Sequence, residues 1–364
     1  MAIDGPERGR VVTGSTSTAS APATEPETAA TAASSDVRLV PARPLVAEPV
    51  DVVFRIAPGD RLLVAAGDSV VVGAPIAERV RDRSLEEMFV PPTGESLPGE
   101  PKPGERWSGP RGGHGSSLHT GELVFQWRGR WRVAGGAISD PLEIPIAGIV
   151  REVRPGMSIT VRAAGRGLRG IVTLGGPTRG RLQGSPESEL RAGGLDVNSA
   201  GAILVVGSRV DAETLTRARA MGVRGVVVTG LSSKERRDFL ASEARQRSAL
   251  HRLPPFAVLV FDGAVRRPVA GAVLALLGDL TGHEVAIVTD PPMLIFDLPG
   301  LTVPTPPADL VRVREGVHAG REGRFLEAVG ARNFAGGAHL EAGLVRFPDG
   351  TTAAVPLGDL ERFV

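Results

Sequence analysis

The stretch "VTGLSS", residues 228–233, places three hydroxyls and a run of backbone amides just ahead of a helical pattern. That chemistry suits a small anion, because the N-terminus of a helix directs unpaired N–H groups and a positive dipole end toward it. Gly207 and Ser208 close the preceding apolar run "GAILVVG" in the same manner. The candidate ligand-binding residues are therefore Gly207, Ser208, Thr229, Gly230, Ser232 and Ser233. A hydrolytic triad of Ser232, His251 and Asp262 can be drawn, but nothing in their spacing distinguishes them from scattered residues of those types. The nucleotide fingerprint Gly-x-Gly-x-x-Gly is missing from "ILVVGSRVDAETL", and no Gly-Lys-Ser/Thr follows "TLGGPTRG". No catalytic residue and no metal ligand set is assigned. His114 and His119 lack a third ligand at a convincing spacing.

A second constellation is "LVFQWRGRWRV", which contains Trp127 and Trp131 with Arg128, Arg130 and Arg132 between and beside them. Read as one strand, alternation puts Trp127, Gly129 and Trp131 on one face and the arginines on the other. Tryptophans packed on a β domain with solvated arginines is the stronger account, at least for one ring. The other accounts are a stacking surface for single-stranded nucleic acid or a protein hot spot. These five residues, together with Phe334 near the C-terminus, are the candidate partner-binding set.

Composition narrows the classes. The chain has 364 residues, 42% apolar and only 4% aromatic, so its cores rest on Val, Leu, Ile and Ala. A net charge of +1 argues against a general polyanion partner. Cysteine is absent, which excludes disulfides, thiol catalysis and thiolate metal sites. Only Lys102 and Lys234 among the 42 basic residues are lysines. No apolar run reaches the ~18 residues of a membrane span, and "MAIDGPERGR" lacks the apolar core of a signal peptide. The expectation is a cytoplasmic protein without membrane contact.

The elements follow. Residues 1–36 are rich in Ser, Thr, Ala and Pro and read as a disordered tail. "RLLVAAGDSVVVGAPIAERV", residues 61–80, reads as three short strands with turns at Gly67-Asp68 and Gly73-Ala74-Pro75. "AGIVREVRPGMSITVRA" gives two more around a Pro155-Gly156 turn. The first text, from Ala57, resembles the first half of a biotinyl/lipoyl-type barrel-sandwich hybrid domain, and "IPIAGIVREVRPGMSITV" is similar to the second half. The resemblance implies one small β domain formed from both halves. In that family a lysine between the halves carries the cofactor. Here Ser84–Met88 follow the first half, and Lys102 sits in proline-rich "GEPKPGERW". The expectation is an unmodified docking module with no cofactor. It spans 37–184, including a Trp- and Gly-rich insert at about 89–140 that holds all three tryptophans.

From residue 193 the periodicity alternates between strand and helix: "GAILVVG", "DAETLTRARAMG", "VRGVVVTG", "SSKERRDFLASEARQRSALHRL", "FAVLVF" and "PVAGAVLALLGDL". This predicts a small parallel-sheet α/β domain over 193–298, with Asp211 and Ser232 or Ser233 as helix caps. A proline-rich linker at 299–308 should separate it from residues 309–364. There, "DLVRVREGVHAGREGRFLEAVG" and "AGLVRFPDGTTAAVPLGDLERF" resemble a KOW/SH3-like barrel. That family contacts RNA or proteins. Seven arginines against eight carboxylates from Asp309 onward favour a protein. The loop "GARNFAGGAHL" should expose Phe334.

The fold expected is thus a split β barrel-sandwich hybrid, a small α/β domain and an SH3-like barrel. The function expected is a non-enzymatic scaffold or adaptor for protein partners in a larger assembly. A small-anion-binding regulatory subunit or enzyme, and a nucleic-acid-binding protein acting through the Trp/Arg strand and the KOW-like unit, are the alternatives.

Overall fold

The structure is a computed structural model that describes residues 36–82, 124–127, 130–133, 137–184, 195–207, 210–249, 255–264 and 267–364. It is predominantly β-sheet, with three α-helices among the described residues: α1 (Ala212–Ala220), α2 (Ser233–Ala249) and α3 (Gly271–Leu280). No described helix is long and apolar enough to cross a membrane. The 1–35 tail and most of the 89–140 insert, including Lys102, Trp107, His114 and His119, lie outside the described residues.

A nine-stranded mixed sheet forms the centre. Four neighbouring strands are parallel: Thr178–Gly184, Ala202–Val206, Gly225–Val228 and Ala257–Val260. The last three are continuous apolar runs and buried throughout, because helices cover both faces. Leu215, Ala218 and Phe239 of α1 and α2 pack on one face. Val273, Leu276, Leu277 and Leu280 of α3 pack on the other. Arg219 of α1 is 2% exposed; it bonds Glu243 of α2 at 3.3 Å and lies over the Phe239 ring.

Residues 166–184, grouped by sequence with the split halves, belong to this central sheet instead. Thr178–Gly184 runs parallel to Ala202–Val206, and Val172–Gly175 closes one side against Ala257–Val260. Glycine and arginine leave "TRGRLQG" without the apolar pattern of a strand. Its fit depends on Gly180, where a Cβ would come within 2.3 Å of the Gly201 carbonyl oxygen. Glu284–Thr289, Pro292–Phe296, Arg166–Arg169 and Val46–Ala47 extend the other side antiparallel.

The two stretches singled out in the sequence pair with one another. Asp51–Arg55 aligns with Ser158–Arg162, Ser69–Val70 with Gly148–Ile149, and Pro75–Asp82 with Ala137–Glu143. Gly67 and Gly156 hold φ of 95° and 69°, the left-handed region that their turns require. Val52, Phe54, Ile76, Ile146, Val150 and Ile159 share one core, which continues into Ala286, Val288, Met293 and Ile295 of the central sheet. The units are therefore fused through apolar packing.

The C-terminal six-stranded sheet runs in the order Ala42–Arg43, Leu360–Phe363, Leu310–Val313, Glu322–Asn333, His339–Arg346, Thr352–Pro356. Two differences from the sequence reading appear here. Residues 37–43 do not join the split halves; Val37 and Val40 lie in this C-terminal core, and Ala42–Arg43 pairs parallel to the chain's last strand. The 299–308 segment does not hold the units apart either, since Leu301 and Val303 pack on the α3 side of the central sheet. "GARNFAGGAHL" is chiefly hairpin, with strands reaching Asn333 and resuming at His339, and Phe334 at its tip is half-buried.

Candidate functional site

Open parallel sheets bind ligands beyond the carboxyl ends of their strands. There Gly207, Thr229 and Gly230 are buried, Ser232 is half-buried and Ser233 exposed, while Ser208 lies outside the described residues. The strand ends are tied together: Asp262 N donates to Thr229 O at 2.7 Å, and Leu231 N to Gly263 O at 2.9 Å. A groove of about 150 Å³ opens beside them, walled by Ser233, Arg236 and the apolar Ile171, Leu174, Leu231 and Val260. Of the five described sequence candidates only Ser233 reaches its wall.

At each of the three helix N-termini at least one amide already has a side-chain acceptor. Asp211 Oδ1 accepts from Thr214 N at 2.6 Å, and Glu235 Oε2 accepts from Ala212 N at 2.7 Å, at the start of α1. Ser232 Oγ caps α2 by accepting from Glu235 N at 3.2 Å. At α3, whose N-cap position is Ala270 and so lacks a capping side chain of its own, Glu322 Oε1 reaches in from the C-terminal sheet and accepts from Gly271 N at 2.8 Å. The Asp211 and Ser232 caps agree with the sequence reading; Glu322 was out of its reach. The hydroxyls of Thr214 and Thr229 are buried without partners, each more tolerable than a missing backbone bond but still unfavourable.

Asp262, the supposed triad acid, is held elsewhere. Arg312 of the C-terminal sheet, 2% exposed, donates to Asp262 Oδ2 at 2.8 Å, Glu361 Oε1 at 2.9 Å and Pro268 O at 2.7 Å. Burial opposes the charge on Arg312, but the hydrogen bonds and attraction of Asp262 and Glu361 outweigh it and raise the guanidinium's pKa. Arg43, also beside Glu361 at 3.9 Å, is governed by its own burial and is lowered. His251 lies outside the described residues, so Ser232, His251 and Asp262 are not brought together by anything the structure describes.

A second cleft, wider than the groove beside Ser233, is one the sequence did not flag. About 440 Å³ in volume, it lies between the paired halves and the central sheet. Ile146, Ala286, Ile295 and Phe296 form its apolar floor, and Arg179, Arg181, His283, Glu284 and Asp297 its rim. Arg179 and Arg181 share one face by strand alternation, and Arg179 Nε bonds Glu284 Oε2 at 3.2 Å. The volume falls in the usual range for small-molecule sites, and such sites favour junctions between units. Among the described residues, no group of three or more His, Asp or Glu side chains is placed to hold a metal ion.

The Trp/Arg segment is a hairpin, not one strand. Val124–Trp127 pairs antiparallel with Arg130–Val133, with Trp127 opposite Arg130 and Gln126 opposite Trp131. Opposed residues share a face, so the positions of Trp127 and Trp131 fall on opposite faces of the ribbon, and Phe125, Trp127, Arg130 and Arg132 share one. Alternation looks the same through both arms, which explains the misreading. Arg128 lies outside the described residues. Compared with known protein families, curated proteins and solved structures, the chain matches none of them.

Proposed function

We propose that this protein is a non-enzymatic scaffold or adaptor of the cytoplasm that holds protein partners within a larger assembly. In this reading the paired halves are an unmodified barrel-sandwich hybrid and the C-terminal sheet is an SH3-like barrel. The observation that carries it is the internal use of the ligand-type groups: three helix N-termini and Asp262 are all engaged by the chain's own oxygens or by Arg312. Groups so engaged serve to fix the units in one arrangement, which is what a scaffold needs. The test is affinity purification of the tagged full chain after in-cell cross-linking, with and without nuclease. Proteins recovered in constant ratio and cross-linked to defined surface residues are expected. Recovery of the chain alone, or of partners lost entirely on nuclease treatment, would refute the reading.

The cleft of 440 Å³ supports a second reading, a regulatory subunit or enzyme that binds a small anionic ligand. Its apolar floor and the adjacent Arg179 and Arg181 suit an amphipathic anion. Thermal melts against nucleotides and sugar phosphates test it. A rise of several degrees that disappears in Arg181→Glu would favour this reading over the scaffold.

A further inference from the structure

The strand Val172–Gly175 ends the nine-stranded sheet on one side, and among the described residues nothing pairs with its outer edge. Which of its groups face outward follows from the neighbouring strand. Ala257 and Phe261 donate to Arg224 O and Val228 O on the far side, so Val258 and Val260 direct their N–H groups toward 172–175. These two stand opposite Leu174 and Val172 in the register. Thr173, between them, therefore directs its N–H and C=O away from the sheet.

Two further observations fall on the same edge. The 150 Å³ groove runs beside it, with Ile171 52% exposed at its margin. At the groove's end the first turn of α2 presents Lys234, Arg236 and Arg237, all exposed. The one carboxylate of that turn, Glu235, is occupied by Ala212 N. Outward backbone groups beside an apolar groove suit recognition by strand addition, in which main-chain bonds give affinity and alternate side chains give specificity, and the cationic end adds a preference for a carboxylate.

We propose that this edge docks an extended segment of a partner protein, apolar at alternate positions and bearing a carboxylate at the end that meets Arg236. The inference rests on the scaffold reading and gives it a surface. The length also limits the occupant: four residues of strand span about 13 Å, enough for a short linear motif.

The experiment selects random ten-residue peptides against the full chain by phage display and measures the best of them by fluorescence anisotropy. The expected sequences alternate apolar residues and carry Asp or Glu at one end. Arg236→Glu should weaken binding at least tenfold. So should Thr173→Pro, which removes only the outward N–H and leaves the bonds to Ala257–Val260 in place. Arg332→Glu, on the distant hairpin, should change nothing. Hydrogen exchange at the Thr173 amide should slow when peptide is bound. If Thr173→Pro lowers the melting temperature, Arg236→Glu and the exchange result decide. No enriched peptide, or enriched peptides indifferent to both substitutions, overturns the proposal. If partners are still recovered in cells but cross-link elsewhere, this surface alone is wrong. If none is recovered, the scaffold reading has failed as well.

Discussion

Replacing Arg312 with methionine should destabilise the folded chain by about 3–5 kcal/mol, the cost of leaving buried charges without their partner. The magnitude follows from what remains. Asp262 and Glu361 have side chains only 11% and 8% exposed, and Arg312 is the hydrogen-bonding cation on both. Loss of the guanidinium also strands Pro268 O. The apolar stem of methionine fills most of the vacated volume, so a cavity contributes little and the electrostatic part dominates. Urea unfolding followed by circular dichroism at 222 nm measures the change. Tryptophan emission is unsuitable, because all three tryptophans lie within residues 107–131 and there is no tyrosine. A second arm isolates the mechanism. Arg312→Met combined with Asp262→Leu and Glu361→Leu should recover most of the loss, since exchanging a whole buried ionic group for apolar side chains is often neutral or better. A single variant within about 1 kcal/mol of the parent would refute the assigned role. So would a triple variant whose loss equals the sum of three independent losses.

Other outcomes follow from the same contacts. Glu322→Ala should cost about 0.5–2 kcal/mol through loss of the α3 cap, read as a shifted urea midpoint with an unchanged slope. Thr229→Val should be neutral or stabilising by about 1 kcal/mol, because it removes a buried hydroxyl without a partner; clear destabilisation would contradict the assignment. Gly180→Ala should destabilise by about 1–3 kcal/mol, since its Cβ would meet the Gly201 carbonyl at 2.3 Å and push the two parallel strands apart. Asp349 is held at about 2 by the Thr351 hydroxyl and amide, then by Arg321. Its carboxylate therefore favours the folded state above the ordinary value of 3.8, an effect lost as the pH falls toward 2. Carbon-13 titration of the Asp349 carboxyl should show it still largely ionised at pH 3.

The parts of the fold legible in the sequence are those set by local chemistry. The apolar strands from Ala202, the Asp211 and Ser232 caps, and the turns at Gly67 and Gly156 each follow from a few adjacent residues. Features made by distant residues were hidden. Thr178–Gly184 carries two arginines and two glycines, and only its neighbours make it a strand. The cap on α3 comes from a residue 51 positions later in the chain. Nothing adjacent in the sequence marks Arg312 as buried; it is buried because two carboxylates from different elements meet it. The 440 Å³ cleft draws its walls from the paired halves and the central sheet, so no single stretch of sequence announces it. The candidate ligand residues were legible as types, but not the side-chain acceptors that engage amides at the neighbouring helix starts.

The placing of Ala42–Arg43 beside Leu360–Phe363 bears on how the chain is made. Arg362 N donates to Pro41 O, Val364 N to Arg43 O, and Leu45 N to Val364 O, each at 3.0–3.1 Å. Ala42–Arg43 is thus synthesised long before the strand that it pairs with. At ~5–20 residues per second, the early strand waits on the order of tens of seconds for its mate. The C-terminal core meanwhile lacks Leu360, and Val37 and Val40 remain without their final neighbours. Nascent chains halted before residue 360 should therefore carry a folded middle with an unsatisfied strand and apolar surface at both extremities, a form suited to chaperone capture. Resistance to proteolysis should be gained only once Leu360–Phe363 has emerged and paired.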